Sequence, residues 1–287
     1  MTTGDIFKCI GNEREIIPGE ILEKLNISYE DSNRDASKMA MLSNHVREYK
    51  KRKYCILPFC HTVEAEALGS TIILDPMVGN RVYKYSIDDI NLIDKISPID
   101  LYSGRISKVL EAIKKLKDNG EKVCLAVIGP ISLATSVMDS QLFYRALRKD
   151  RETVTKLLKL IEDTIVEYIL EGIKQGVDII SLADPTGTID IVGPKVYKDV
   201  SGKITYNILK RIENQLGNTI VHLCGKTSTS LENIGFLETN RIKVEGCSYG
   251  EMLNNISKER DDIKFVGHWC IKSNRVPKEL IYCKIKE

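Results

Sequence analysis

Short apolar runs alternate with long amphipathic stretches along most of this chain, and that alternation limits the folds open to it. The runs are YCILP (54–58), TIILD (71–75), VCLAVIG (123–129), DIISLAD (178–184), TIVHLCG (219–225), IKVEGC (242–247), IKFVGHWC (263–270) and LIYCKIK (280–286), which predict eight strands. Several are apolar throughout rather than at every second position. A strand of that kind is covered on both faces, which predicts a parallel sheet. Between most of them lie segments with apolar residues three and four apart. GRISKVLEAIKKLKDNG ends in a glycine stop, RETVTKLLKLIEDTIVEYILEGIKQG closes at Gly176, and PKVYKDVSGKITYNILKRIENQLGN opens on Pro194, where a first helical turn tolerates proline.

Eight such strands separated by helices predict an α/β chain closed into a (β/α)8 TIM barrel. The 287 residues suit that fold, since one such barrel commonly fills about 250 residues. The alternative is an open doubly wound sheet. No G-x-G-x-x-G opens a helix after a strand, which disfavours a dinucleotide-binding version. Residues 1–50 read as a polar helical N-terminal extension within a single domain, 1–287. The last βα unit reads as abbreviated, because KSNRVPKE does not carry a full helical pattern.

Forty-two basic and forty acidic residues leave a net charge of +2, which gives no electrostatic argument for nucleic acid or an anionic membrane surface. No apolar run approaches the roughly 18–20 residues of a membrane helix. Eight cysteines, at 9, 55, 60, 124, 224, 247, 270 and 283, show no compact disulfide spacing, and no signal peptide is seen. The expectation is a cytoplasmic protein with reduced thiols, either buried or available as metal ligands.

In a barrel, chemistry sits at the C-terminal ends of the strands. The strands expected here end in Cys60-His61, Gly129-Pro130, Asp184-Pro185-Thr186, His222-x-Cys224, Glu245-x-Cys247 and His268-x-Cys270. Cys224, Cys247 and Cys270 are separated by two equal gaps of 23 residues. Equal βα periods would place three thiols around one mouth. Thiolate and imidazole together favour zinc, and a catalytic zinc takes three protein ligands and keeps one position open. His222, Cys224 and one distant cysteine meet that count, with Gly225 relaxing the backbone between strand and helix. Zinc so bound lowers the pKa of a coordinated thiol. Each residue also has a plainer reading: His222 as a hydrogen-bonded core residue, the cysteines as buried and inert, Asp184 as a cap of the DPTG turn.

PFCHTVEAEALG (58–69), VIGPISLATSVM (127–138), GVDIISLADPTGTIDIVGPKVYKDV (176–200) and VHLCGKTS (221–228) follow one another in an order that resembles the uroporphyrinogen decarboxylase superfamily. The closer resemblance is to its corrinoid-dependent branch, the methylcobamide:coenzyme M methyltransferase type, over roughly residues 40–270. The resemblance implies a TIM barrel and a zinc site built from His222, Cys224 and a later cysteine. The family's S-P-G-C turn for that later cysteine is absent, and the order of preference is Cys270, then Cys247, then Cys283. It further implies a methyl donor in the form of a methylcorrinoid on a separate partner protein, since no D-x-H-x-x-G corrinoid motif occurs here. A small thiol, or a tetrahydrofolate, would accept the methyl group. Asp184 would join His222 and Cys224 as a catalytic residue and, with His61 and Thr186, line the corrinoid or acceptor pocket. A tetrapyrrole decarboxylase is the less favoured relative, because no R-Q-A-G-R-Y-like motif is present. A non-catalytic barrel that binds a corrinoid partner is the third reading.

Overall fold

The computed structural model describes residues 16–287 except Glu245 and Asn274. The start of the expected N-terminal extension, with Cys9, and the strand-end residue Glu245 therefore lie outside the described residues.

Three helices come first: α1 (Gly19–Leu25), α2 (Tyr29–Arg34) and α3 (Ala36–Tyr49). The Ser28 side chain accepts from Asp31 N at the start of α2, and that of Asp35 from Lys38 N at the start of α3. Such bonds satisfy amides that have no partner inside the helix. Then follow β1 (Cys55–Leu57), α4 (Val63–Ala67) and a hairpin of β2 (Thr71–Ile73) and β3 (Arg81–Lys84). The chain continues through α5 (Gly104–Asp118), β4 (Val123–Ile128), α6 (Pro130–Val137), α7 (Ser140–Lys149) and α8 (Arg151–Lys174). Next come β5 (Ile179–Ala183), α9 (Ile189–Val192), α10 (Pro194–Val196), a π-helical turn, and α11 (Gly202–Ile212). The last elements are β6 (Ile220–Cys224), α12 (Gly225–Asn233), β7 (Leu237–Lys243), α13 (Tyr249–Glu259), β8 (Phe265–Trp269) and β9 (Glu279–Ile285).

The main sheet runs β1-β4-β5-β6-β8-β9-β7. Its first five strands are parallel, as the apolar runs predict. Three of the eight expected strands behave otherwise. TIILD supplies β2, which pairs antiparallel with β3 in a separate sheet. The Asp75 carboxylate accepts from Met77 N and Val78 N and folds the chain straight back. IKVEGC contributes only its first residues to β7, and Cys247 lies beyond that strand. LIYCKIK forms β9, which runs antiparallel to both β8 and β7. The physical reason is the connection: residues 270–278 contain no helix among the described residues, and a parallel return needs a crossover of a dozen residues or more. Among the described residues no ladder joins β1 to β7.

The two faces of the sheet bury different partners. Leu125 and Val127 of β4, Ile180 and Leu182 of β5, and Val221 and Leu223 of β6 belong to the main core with α3, α5, α8 and α11. The alternate positions Cys124, Ile179, Ile220 and Val266 form a second cluster with Tyr249, Met252, Leu253 and Ile256 of α13. Both faces are thus dry, which is why these strands read as continuous apolar runs. None of the helices among the described residues is long and apolar enough to cross a membrane.

Candidate functional site

His222 stands on the α13 face of β6, directly opposite Ser181 of β5. Its Nδ1 lies 3.1 Å from Ser181 Oγ and its Nε2 lies 3.2 Å from the Trp269 carbonyl oxygen. A carbonyl can only accept, so Nε2 carries the proton and Nδ1 accepts from the Ser181 hydroxyl. The ring is 1% exposed. Burial pushes its pKa down to about 4, against the opposing pull of the Trp269 carbonyl, so the imidazole is neutral at neutral pH. The Tyr249 ring meets His222 edge-on at 5.7 Å and Trp269 at 6.0 Å.

Cys224 closes β6 and forms the N-cap of α12, at the positive end of that helix. Its Cα pairs with Trp269, and Cys270 follows immediately. The backbone therefore brings His222, Cys224 and Cys270 to one strand end. Burial, with the nearby Cys283, Cys270 and Cys224 thiols, holds the Tyr249 phenol well above its usual range. The even cysteine spacing does not mark successive parallel strands, because β6 pairs directly with β8 while β7 lies at the far edge. Cys247 falls in the segment before α13, half-buried, and Cys283 is sealed in β9 with its thiol pushed up to about 12 by burial and the Glu232 charge. Donor chemistry at this strand end suits zinc. Even so, among the described residues no three His, Cys, Asp or Glu side chains are gathered as a metal cage, and both nitrogens of His222 have protein partners. A metal at His222 would have to displace one of them.

Asp184 is 3% exposed. One carboxylate oxygen accepts from Ser132 N (2.8 Å) and Ser132 Oγ (2.6 Å), the other from Ile131 N (3.1 Å). It thus ties the first turn of α6 to the end of β5, its pKa raised by burial despite those bonds. Thr186 is exposed, and its Oγ1 lies 2.9 Å from Ser132 Oγ.

At the end of β1, His61 is half-buried with Nδ1 sealed and without a partner. Burial and the Lys272 charge push its pKa down to about 4. Beside it lies a group that patterning alone did not single out. Arg105 of α5 donates to Cys60 Sγ (3.1 Å), to Thr62 Oγ1 (2.8 Å) and to Glu66. Glu64, fully buried, accepts from Ile128 N at 3.0 Å. HTVEAEALG reads equally well as a helix face, and Arg105 sits 39 residues from Glu66, so no local spacing announces the pairing.

The chain is similar to known proteins over most of its length. The pattern of the uroporphyrinogen decarboxylase (URO-D) family matches residues 14–269. Methylcobamide:CoM methyltransferase MtbA of Methanosarcina mazei is 27% identical over 230 residues, covering 79% of this chain and 68% of that one. Methylcobamide:CoM methyltransferase MtaA of Methanosarcina barkeri is 25% identical over 236 residues, covering 79% and 67%. Uroporphyrinogen decarboxylase of a Hydrogenobaculum species is 24% identical over 265 residues, covering 80% and 74%. A solved methyltransferase from Methanosarcina mazei superposes with a TM-score of 0.65 at 20% identity, over 75% of this chain. The chain spans 64% of that structure, and the likeness is one of fold. With the family pattern covering most of its length, the chain belongs to the uroporphyrinogen decarboxylase (URO-D) family.

Proposed function

We propose that this chain is a corrinoid-dependent methyltransferase that moves a methyl group from a methylcobamide, delivered by a separate corrinoid protein, to a thiol acceptor. The observation that carries the reading is the meeting of His222, Cys224 and the Trp269–Cys270 step at the ends of β6 and β8. It gains weight from relatives named methylcobamide:CoM methyltransferases. Coenzyme M is the first acceptor to test, a tetrahydrofolate the second.

His222, Cys224 and Cys270 are the residues that would hold a zinc ion. Zinc bound there would supply a lowered pKa for the acceptor thiol. The rest falls to the chain itself. Burial keeps His222 neutral and therefore able to donate a lone pair. Ser181 and the Trp269 carbonyl set the ring's orientation, and whichever of them a metal left in place would keep the role outer partners play for ligating imidazoles generally. Tyr249 packs edge-on against the flank of the His222 ring, with the Trp269 ring against Tyr249 in turn. Asp184 fixes the neighbouring α6 terminus, with Thr186 just beyond the end of β5 beside β6 and His61 beyond the end of β1, residues that would line a corrinoid or acceptor pocket. In the transfer the acceptor thiol releases its proton to solvent, its sulfur bonds the methyl carbon, and the cobalt–carbon bond breaks with its electron pair left on the corrinoid.

Elemental analysis of the wild type beside Cys224→Ala and Cys270→Ala tests the site. Near one zinc per chain, lost in both variants, is the expected result. Zinc lost only with Cys224→Ala moves the third ligand to Cys247 or Cys283. A wild type that takes up no zinc on reconstitution removes the metal from the reading. The 24% identical decarboxylase motivates one competing assay: turnover of uroporphyrinogen unaffected by chelators would replace the methyltransferase with a tetrapyrrole decarboxylase.

A further inference from the structure

The strand that delivers Cys270 is irregular just before it. His222 pairs with Val266 and Cys224 pairs with Trp269, so one residue of β6 faces two of β8, a bulge. The extra residue is His268, and its backbone is left-handed, with φ +62°. Glycine is the usual occupant of that conformation, because a Cβ is disfavoured there. Gly267, one residue earlier, is not the left-handed one. It is excluded from carrying a side chain for a different reason: a Cβ there would lie 2.6 Å from Ser228 Cβ and 3.3 Å from Cys283 Sγ. The chain therefore places its glycine where space is lacking and a histidine where the backbone is strained.

The histidine side chain accounts for that choice. His268 Nε2 lies 2.7 Å from Glu232 Oε2 on α12, and its backbone N–H donates to Ser228 Oγ at 2.8 Å, also on α12. Glu232 is held in turn by the Thr239 hydroxyl of β7. Two anchors on one helix thus fix the bulge from outside the sheet. The bulge turns the Trp269 carbonyl onto His222 Nε2, and the next residue is Cys270.

We propose that His268, held by Glu232, is a positioning residue that sets how Trp269 and Cys270 enter the thiol site. It acts through the backbone and touches no reacting atom. This rests on reading His222, Cys224 and Cys270 as that site. The general precedent is that partners behind a metal's own ligands typically change affinity or activity by ~10-fold to ~100-fold when lost.

The experiment separates the Glu232 bond from the left-handed backbone. His268→Gly keeps the left-handed backbone without the Glu232 bond, His268→Ala loses both, and Glu232→Gln removes the charge but keeps a hydrogen-bonding group. Trp269 is the chain's single tryptophan, so its fluorescence reports on this strand end without any assay of activity. Zinc affinity, by competition with a chromophoric chelator, is the second readout. The expected order is wild type and Glu232→Gln nearest each other, then His268→Gly, then His268→Ala with a shifted Trp269 emission and zinc affinity reduced ~10-fold or more. Wild-type emission and wild-type zinc affinity in His268→Gly and His268→Ala would overturn the proposal. If the wild type binds no zinc, the metal reading fails alone, and Trp269 emission still decides the positioning role. If His268→Ala does not fold, His268→Gly and Glu232→Gln carry the comparison.

Discussion

Replacing Asp184 with alanine is expected to lower the unfolding free energy by about 3–5 kcal/mol, whatever it does to catalysis. Three donors lose their acceptor at once: Ile131 N, Ser132 N and Ser132 Oγ. Each buried amide left without a partner costs about 1–3 kcal/mol, and a cavity adds to it. The surroundings cannot relax cheaply, because they are built around this carboxylate. A Cβ on Gly129 would lie 2.2 Å from Asp184 Cβ, and one on Gly187 would lie 2.2 Å from its Oδ2. Asp184→Asn keeps the shape but turns an NH2 toward an N–H donor, and about 2 kcal/mol is the expected loss. Urea unfolding of the three proteins measures this. If both variants unfold within about 0.5 kcal/mol of the wild type while methyl transfer collapses, Asp184 acts on substrate through its charge and not by pinning α6.

That case shows what was legible in the residue order and what was not. The strand end at Asp184 could be read, because DIISLAD is an apolar run closed by turn residues. The use of the carboxylate could not, since its donors lie 52 and 53 residues earlier on another element. The parallel core from β1 to β8 followed from apolar runs separated by helical periods. The failure to count β7 and β9 correctly has a physical cause. A strand's own pattern does not encode its direction, and only the missing helix between 270 and 278 forces β9 to run backward. The abbreviated last unit was visible, yet its consequence, an antiparallel pair inserted beside β8, belongs to tertiary pairing. At the candidate site, the pairing of His222 and Cys224 at one strand end was legible from a two-residue spacing on one strand. Arg105, Glu232 and Tyr249 were not, because each reaches its partner from a different element. The equal gaps among Cys224, Cys247 and Cys270 were real in the sequence and misleading in space, because β7 is not a neighbour of β6.

Glu64 gives the second large effect, and it appears only as pH changes. β1 pairs with β4 only as far as Leu57 opposite Leu125, so Ile128 N–H has no strand acceptor on that side. Glu64 Oε1 takes it at 3.0 Å, while Oε2 is sealed without a partner. Burial raises its pKa from 4.5 to about 7, against the opposing Ile128 N–H and Arg105 charge. Below 4.5 the carboxyl is protonated in folded and unfolded chains alike, and its contribution to stability is complete. As pH rises toward 7 the unfolded chain ionises and the folded one resists, so stability is lost, reaching about 3 kcal/mol above neutrality. His61 and His222, both held near 4 by burial, act on the other side. Their contribution is lost as pH falls from about 6.5 toward 4. Glu64→Gln keeps an oxygen for Ile128 N–H and cannot ionise. It should match the wild type near pH 5 and exceed it by about 2 kcal/mol at pH 8, with the acid limb unchanged because the histidines remain. Denaturant unfolding at the two pH values reads this difference directly. A gap of the same size at both would mean that Glu64 acts by packing alone, and that its carboxyl is already charged in the folded chain at pH 5.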